Sequence, residues 1–266
     1  MVTLDGRPVS ADDLAALALT NMGHFTSLRV EGDGSVRGLA LHMERLVRDC
    51  SAVWNTALDT GRVRAYVRQA LEGRSLPCVV RVTVHDPGVD LGRPVDARAP
   101  RVFVSVREAG PPAAEPLRVR SVVYERDLPE VKHTGLFGAL HARRTAQRVG
   151  ADDALFVGRD RLVSEGPTWN VAFVDHDGTV VWPDARVLPG VTRALLRPYG
   201  THRVSPVTPE RARGMAAAFV TNTAVGVRAL AAIDDTAFPV DHEVVLRLRE
   251  AYAALPGERL EDDGDG

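Results

Sequence analysis

One side chain in this 266-residue sequence carries a primary amine. Lysine and arginine together number 33, and Lys132, in the stretch RDLPEVKHTGLFGALHARR, is the single lysine among them. Arginine stays charged in proteins, whereas a lysine in a suitable environment can lose its proton and form a Schiff base. A coding bias that replaces lysine by arginine could also leave one lysine by chance. Composition alone therefore keeps both explanations open.

Three segments that could bind a charged cofactor follow this lysine along the chain. VSEGPTWN places Glu165 at a predicted strand end, LPGVTRALL places a Gly-Val-Thr turn at a predicted helix start, and VTNTAVG places hydroxyl side chains at a strand exit. Free backbone amides at a helix start can bind an anion. Earlier in the chain, LHMERL offers Arg45 on a predicted helix. An amine, a carboxylate and an anion-binding turn with an arginine are the groups that pyridoxal 5′-phosphate (PLP) requires.

Other common kinds of site lack their sequence signatures. The sequence contains no GxGxxG or GxxxxGK[ST] phosphate loop, no GxSxG nucleophile and no HExxH or other metal-ligand cluster. The formal net charge is −2 and the arginines are scattered among acidic residues, which does not favour nucleic-acid binding. No apolar run is long enough to span a membrane, and no signal-peptide core is present at the start. We expect no metal, nucleic-acid or membrane partner, and a cytoplasmic protein.

Strands and helices are predicted in irregular alternation, which favours the α+β class. VTLDGRPV is predicted as two short strands around a DG turn, HFTSLRV-EGDGS as the beginning of a hairpin, and PGERLEDDGDG as a frayed acidic tail. The spacing of apolar residues predicts helices from Leu39 to Cys50 and over residues 137–149. Cys50 and Cys78 are interpreted as reduced core residues.

A proline-rich stretch marks the predicted domain boundary. GPPAAEP, residues 110–116, has no periodicity and is the best linker candidate. It separates a predicted N-terminal α+β domain, residues 1–109, from a larger C-terminal domain, residues 117–266.

The order of these motifs resembles the class IV aminotransferases, which are fold-type IV PLP enzymes. The family includes branched-chain and D-amino-acid aminotransferases and 4-amino-4-deoxychorismate lyase. The resemblance runs from about LDGRPV to TNTAVGVRAL and depends mainly on SEGPTWN and LPGVTRALL following the lysine. It implies a smaller N-terminal α/β-sandwich domain, a larger C-terminal β-barrel-like domain with PLP between the two, and a homodimer.

The resemblance assigns cofactor roles to individual residues. Lys132 matches the Schiff-base lysine, Glu165 matches the carboxylate that faces the pyridine nitrogen, and Arg45 matches the phosphate-binding arginine. Each residue alone has an ordinary explanation: Arg45 could be a solvated helix residue and Glu165 a turn carboxylate. Asn170 is interpreted as a turn-forming residue rather than a ligand.

Further positions match phosphate and substrate contacts of the family. Val191 and Thr192 match the pair that holds the phosphate, and Thr223 matches an additional phosphate ligand. The candidate substrate residues are His24, Asn222 and Ala224.

The chain departs from parts of the family pattern. Leu136 and Phe137 occupy positions where many branched-chain enzymes have Asn-Tyr, and KHTGLFG is more similar to the D-amino-acid and lyase branches. The Arg-x-His carboxylate trap of the D-amino-acid enzymes has no convincing match, and only His85 and Arg93 could substitute for it. We therefore expect an aminotransferase that acts on amino and 2-oxo acids. A β-eliminating lyase that releases pyruvate is the alternative, and a PLP-free binding or scaffolding protein is the third.

Overall fold

The structure is a computed structural model that describes residues 2–110 and 115–261. The chain forms two compact units. Unit 1 contains residues 2–110, 131–135 and 256–261, and unit 2 contains residues 115–130 and 136–255. The change from unit 1 to unit 2 along the chain falls within the predicted linker, residues 110–116. Residues 111–114 of this linker lie outside the described residues. The units differ from the predicted domains because residues 131–135, which include Lys132, and residues 256–261 belong to unit 1.

Unit 1 consists of one antiparallel sheet and three helices. Its elements are β1 Val2–Leu4, β2 Arg7–Pro8, α1 Ala11–Thr20, β3 His24–Val30, α2 Leu39–Trp54, α3 Thr60–Leu71, β4 Cys78–His85 and β5 Arg101–Glu108. The sheet order is β2-β1-β5-β4-β3, with every neighbouring pair antiparallel. The predicted DG turn joins β1 to β2, and Asp5 and Gly6 both have positive φ, as a type I′ hairpin turn requires.

The core of unit 1 lies between the sheet and helices α2 and α3. Leu39, Met43, Leu46 and Cys50 recur at intervals of three or four residues along α2, so they share one face and are buried in this core. Alternate residues of β4, such as Val80 and Val82, meet them from the sheet. Helix α2 therefore has a fixed rotation, which determines where its polar residues point.

Two predictions for unit 1 are wrong. The hairpin expected after HFTSLRV does not form, because beyond the turn only Val36 pairs with Val30 and the chain then enters α2. The C-terminal segment is not frayed over its first part, since Glu258 pairs with Val36 and Leu260 is buried in the core. Residues 262–266 of the predicted tail lie outside the described residues.

Helix α1, which the sequence pattern did not indicate, begins at a capping box formed by Ser10 and Asp13.

Unit 2 contains an eight-stranded mixed sheet and four helices. Its elements are β6 Leu117–Val123, α4 Phe137–Arg148, β7 Asp153–Val157, β8 Asn170–Val174, β9 Val180–Pro183, α5 Val191–Leu196, β10 His202–Ser205, α6 Pro209–Arg213, β11 Ala217–Asn222, β12 Gly226–Ile233, β13 Thr236–Ala237 and α7 Glu243–Ala254. The strand order is β10-β9-β8-β11-β12-β6-β7, and β13 pairs with β12.

Backbone pairing in unit 2 continues from β7 back to β8. Residues 162–165 hydrogen-bond to β7 and the residue after it, and an isolated bridge then joins Glu165 to Asn170 at the start of β8. The paired backbone encloses a core that includes Leu155, Val163 and Phe173. Unit 2 therefore has the curved, barrel-like arrangement that the resemblance implied, and it places Glu165 next to the first residue of β8.

Both cysteines are buried free thiols, as predicted, and burial raises the pKa of each. Within residues 2–110 and 115–261, no helix is both long and apolar enough to cross a membrane.

Candidate active site

Lys132 is held at its backbone by residues of unit 1. Its carbonyl oxygen accepts a 2.8 Å hydrogen bond from the backbone nitrogen of Phe25 in β3. Its own backbone nitrogen donates a 2.9 Å hydrogen bond to Oδ2 of Asp49 in α2, a carboxylate that is fully buried. The Nζ atom lies 4.8 Å from the centroid of the Phe25 ring. The chain is thus fixed on both sides of a half-buried amine.

Arg45 projects from α2 into the interior of unit 1. Its Nη2 donates hydrogen bonds to Oγ1 of Thr26 and, at 3.2 Å, to Nδ1 of His42. His42 is neutral, because burial and then the charges of Arg45 and Lys132 lower its pKa well below the usual value. Burial lowers the pKa of Arg45 to about 10, with Asp49 acting in the opposite direction. Arg45 is therefore a buried cation whose hydrogen-bond acceptors are neutral.

His24 is fully buried at the start of β3. Neither ring nitrogen has a hydrogen-bond partner within the described residues, and burial lowers its pKa to about 3. Its backbone pairs with that of His133, directly after Lys132. The structure thus places His24 beside the lysine segment as a neutral ring, and its substrate role stays a prediction.

Glu165 is a buried carboxylate surrounded by donors of unit 2. Its Oε2 accepts hydrogen bonds from Nδ2 of Asn170 and the backbone nitrogen of Leu188, both at 3.2 Å. Its Oε1 lies 2.9 Å from Nε of Arg126, an ion pair that lacks the alignment of a hydrogen bond. Asn170 closes the turn through its bridge to Glu165, and its amide also donates to the carbonyl of Leu188, so it joins two segments around the carboxylate.

The Gly-Val-Thr turn lies close to Asn170. A Cβ on Gly190 would come within 2.0 Å of Oδ1 of Asn170, which explains the glycine at this close approach. Val191 and Thr192 begin the six-residue helix α5, and both are buried. Oγ1 of Thr192 has no hydrogen-bond partner within the described residues.

Thr221 and Asn222 end strand β11, and Thr223 begins the turn that follows it. Oδ1 of Asn222 accepts hydrogen bonds from the backbone nitrogens of Ala224 and Val225, so this side chain shapes the turn. Thr223 is half-buried and Ala224 is exposed. Thr221 is buried, and its Oγ1 has no hydrogen-bond partner among the described residues.

Each unit contains side chains whose chemistry suits part of PLP. Nε of Arg45 and the hydroxyls of Thr192 and Thr221 are buried polar atoms without a hydrogen-bond partner in the described part of the chain. Such atoms are costly unless a ligand or water satisfies them. Arg45 and the threonines suit a phosphate, and the buried carboxylate of Glu165 suits a protonated ring nitrogen.

The sequence did not identify two charged residues that contact Lys132 and Glu165 in the structure. Asp49 and Arg126 are charged residues in segments with many other charges, and neither belongs to a recognisable motif. The spacing of α2 indicates only that Asp49 is close to the buried face. Of the two candidates for a carboxylate trap, His85 is buried in β4, whereas Arg93 is exposed and paired with Asp96.

Comparison with known proteins agrees with this description. The sequence profile of the amino-transferase class IV family matches residues 23–233. No curated protein sequence matches the chain.

Similar solved structures include two with different named activities. A branched-chain aminotransferase from Thermoproteus uzoniensis is 22% identical with a TM-score of 0.83, and the match covers 95% of this chain and 93% of that one. A protein described as a 4-amino-4-deoxychorismate lyase from Legionella pneumophila is 21% identical with a TM-score of 0.81, covering 91% and 92%. A hypothetical aminotransferase from Mycobacterium tuberculosis in a PLP-bound form is 18% identical, with a TM-score of 0.78 and coverage of 95% and 98%.

Fold and sequence profile together define an enzyme of the PLP-dependent fold-type IV class. The chain belongs to the class IV aminotransferase family.

Proposed function

We propose that this protein is a PLP-dependent aminotransferase that moves an amino group between an amino acid, or another amine, and a 2-oxo acid. The observation that carries the proposal is the buried guanidinium of Arg45, whose hydrogen bonds go to the neutral Thr26 and His42 and whose Nε is left for another partner. A buried cation of this kind is stabilised by an anion, and a guanidinium can bind two phosphate oxygens at once. Asp49 already stabilises the Arg45 charge electrostatically, and the phosphate of PLP would add an anion that binds the guanidinium directly.

Lys132 and Glu165 have the reactive roles in this proposal. PLP, when bound, withdraws electrons from the carbon that carries the amino group and so eases removal of its proton. The amine of Lys132 would hold PLP covalently, and in its free form it would move this proton as a general acid–base. Glu165 would pair with the ring nitrogen and favour its protonated form.

The remaining predicted residues hold the phosphate and face the substrate. Thr192 supplies a buried hydroxyl for the phosphate, Val191 a backbone amide, and Thr223 a further hydroxyl at the turn after β11. The candidate substrate residues are His24, Asn222 and Ala224. Asn222 acts through the shape of its turn, because its amide oxygen is already bonded to backbone nitrogens of that turn.

A visible spectrum of the purified protein tests the proposal directly. The parent protein should show the absorbance of PLP bonded to a lysine, and it should convert amino acids in the presence of 2-oxoglutarate or pyruvate. Lys132→Arg keeps the charge but cannot form the bond to the aldehyde, so it should lose both the absorbance and the turnover. A Lys132→Arg variant that keeps both would exclude Lys132 from this role.

The same residues permit a β-eliminating lyase, which is the alternative function. The proteins of similar fold include one described as a 4-amino-4-deoxychorismate lyase, and the KH pair resembles that branch. An assay for pyruvate released from 4-amino-4-deoxychorismate, run beside a screen of L- and D-amino acids, separates the two reactions. A colourless protein that gains no absorbance with added PLP would instead favour a PLP-free binding protein.

The proposal includes a cytoplasmic homodimer. Support for association comes from large apolar side chains that are exposed in the single chain, such as Leu19 at 81% and Phe137 at 79%. Support for a reducing compartment comes from the two free cysteines. Light scattering coupled to size-exclusion chromatography measures the mass, and a monomer at micromolar concentration would contradict the dimer.

A further inference from the structure

Arg126 and Glu165 form a buried ion pair in unit 2. Their side chains are only 5% and 3% exposed, and Nε of Arg126 lies 2.9 Å from Oε1 of Glu165. The other end of the guanidinium is also fixed, because Nη2 donates a 2.7 Å hydrogen bond to the carbonyl oxygen of Pro167. Arg126 therefore contacts the Glu165 carboxylate and, through Pro167, the turn EGPTW that begins at Glu165.

The ion pair places a cation in direct contact with the carboxylate. Burial disfavours an ionised carboxylate, whereas a cation in contact with it favours ionisation. The hydrogen bonds from Asn170 and Leu188 are made to Oε2, so the cation acts on the opposite oxygen. The donors on Oε2 are both neutral amides, whereas Arg126 carries a full positive charge.

Two further titratable groups of unit 2, Arg193 and Tyr124, interact electrostatically with Glu165. Arg193 in α5 interacts electrostatically with Glu165, but its pKa is lowered mainly by its own burial. Tyr124 is influenced by Arg126, Asp127 and Glu165, and burial raises its pKa. Among these groups, Arg126 is the one whose ion pair with Glu165 is close enough for direct contact.

A cavity of about 300 Å³ adjoins the pair within unit 2. Its lining includes Arg126, Glu165, Ser164, Phe156 and Arg186. Shortening Arg126 would enlarge this existing space rather than open a new void in a packed core, so variants at this position should fold. Arg186 lines the same cavity but is exposed and paired with Glu130, which makes it a matched control.

We propose that Arg126 is a positioning residue for Glu165: it keeps the buried carboxylate ionised and fixes the direction of Oε1. The proposal rests on the proposed function, in which Glu165 pairs with the ring nitrogen of PLP. Two cations then share one carboxylate, so the ring nitrogen holds its proton less tightly than it would without Arg126. This arginine thus sets how strongly the cofactor withdraws electrons, although it acts through Glu165.

The first experiment does not depend on PLP. Unfolding of the full chain, freed of any bound PLP, is measured for the parent, Arg126→Gln, Glu165→Gln and the double variant. If the pair is coupled, the effects of the two single changes will differ from additivity by at least about tenfold in the folded-to-unfolded equilibrium, or about 1.4 kcal/mol. Additive effects would overturn the proposal.

The second experiment follows the absorbance of bound PLP as a function of pH. Loss of the Arg126 cation should raise the proton affinity of the ring nitrogen of PLP. Arg126→Gln should therefore move the pH midpoint of the titration upward by about one pH unit or more. Arg126→Lys should restore most of the parent value, and Arg186→Gln should leave it unchanged. If Arg126 had only a structural role, Arg126→Gln would weaken PLP binding or lower stability without changing the pH midpoint of the titration. That result would overturn the proposal that Arg126 influences the ring nitrogen.

The two experiments also separate this proposal from the proposed function. A parent protein that binds no PLP would refute the proposed function and, with it, the tuning of the ring nitrogen. The unfolding experiment would still decide whether Arg126 supports Glu165.

Discussion

Asp49 and Lys132, 83 residues apart in the sequence, are joined by a 2.9 Å hydrogen bond from the lysine backbone nitrogen to Oδ2. The other carboxylate oxygen of Asp49 is bound by Arg48, whose Nη2 lies at 2.7 Å and whose Nε lies at 3.1 Å. The Asp49 side chain is buried, whereas that of Arg48 is half-exposed. Helix α2 thus fixes the lysine segment through one carboxylate.

Asp49→Ala should destabilise the protein by about 1–3 kcal/mol, because it removes the acceptor of the part-buried backbone nitrogen of Lys132. Asp49→Asn should cost less, since an amide oxygen can still accept that bond. Urea unfolding of both variants provides the measurement. Equal stability of Asp49→Ala and the parent would show that the lysine segment is held by other contacts.

Arg45→Ala should weaken PLP binding by at least about tenfold, or about 1.4 kcal/mol. The physical reason is the loss of the buried guanidinium that we assign to the phosphate. Spectroscopic titration after removal of the cofactor gives the affinity. Arg48 on the same helix is not a neutral control, because it holds Asp49; Arg74, exposed in unit 1, is the better choice. The assignment fails if Arg45→Ala and Arg74→Ala bind PLP equally well.

Gly190→Ala should destabilise the protein by about 1–3 kcal/mol and loosen Glu165. The backbone of Gly190, at φ −74°, suits any residue, so the effect is steric: the new Cβ would meet Oδ1 of Asn170 at 2.0 Å and displace a donor to Glu165. Thermal unfolding and PLP affinity are the measurements. Gly214→Ala, where the nearest atom lies at an ordinary 3.6 Å, is the control and should change neither.

His24 should make the protein less stable in acid. Its pKa falls from 6.5 to about 3 on folding, so the unfolded state binds more protons between these values. The free energy of unfolding therefore decreases as pH drops below about 6.5, by up to about 1.4 kcal/mol per pH unit from this residue, and the loss ends near pH 3.

His24→Gln removes this titration and should flatten the decrease between pH 6.5 and 4, as measured by urea unfolding at several pH values. His42 and His85 are also buried with lowered pKa values, so part of the decrease should remain. His141→Gln, at an exposed position, is the control. An unchanged slope in His24→Gln would show that this ring is protonated in the folded protein.

The sequence by itself was sufficient for the family and for most secondary structure. The single lysine, the SEGPTWN and LPGVTRALL motifs and their order predicted a class IV aminotransferase, which the sequence profile confirms. Helix α2 was predictable because its apolar residues repeat with the helical period, and the turn at Asp5 and Gly6 because few residue pairs accept positive φ. These are local signals, readable within a few residues.

Only the tertiary structure decided which charged residues support the candidate site. Asp49 reaches Lys132, and Arg126 reaches Glu165, across long stretches of sequence. Leu260, in a segment whose composition predicted a frayed tail, is buried in the core of unit 1. The reason is physical: a charged side chain is solvated by default, and it becomes a buried partner only when distant elements pack so that one carboxylate meets one particular donor. Neither periodicity nor composition carries that information.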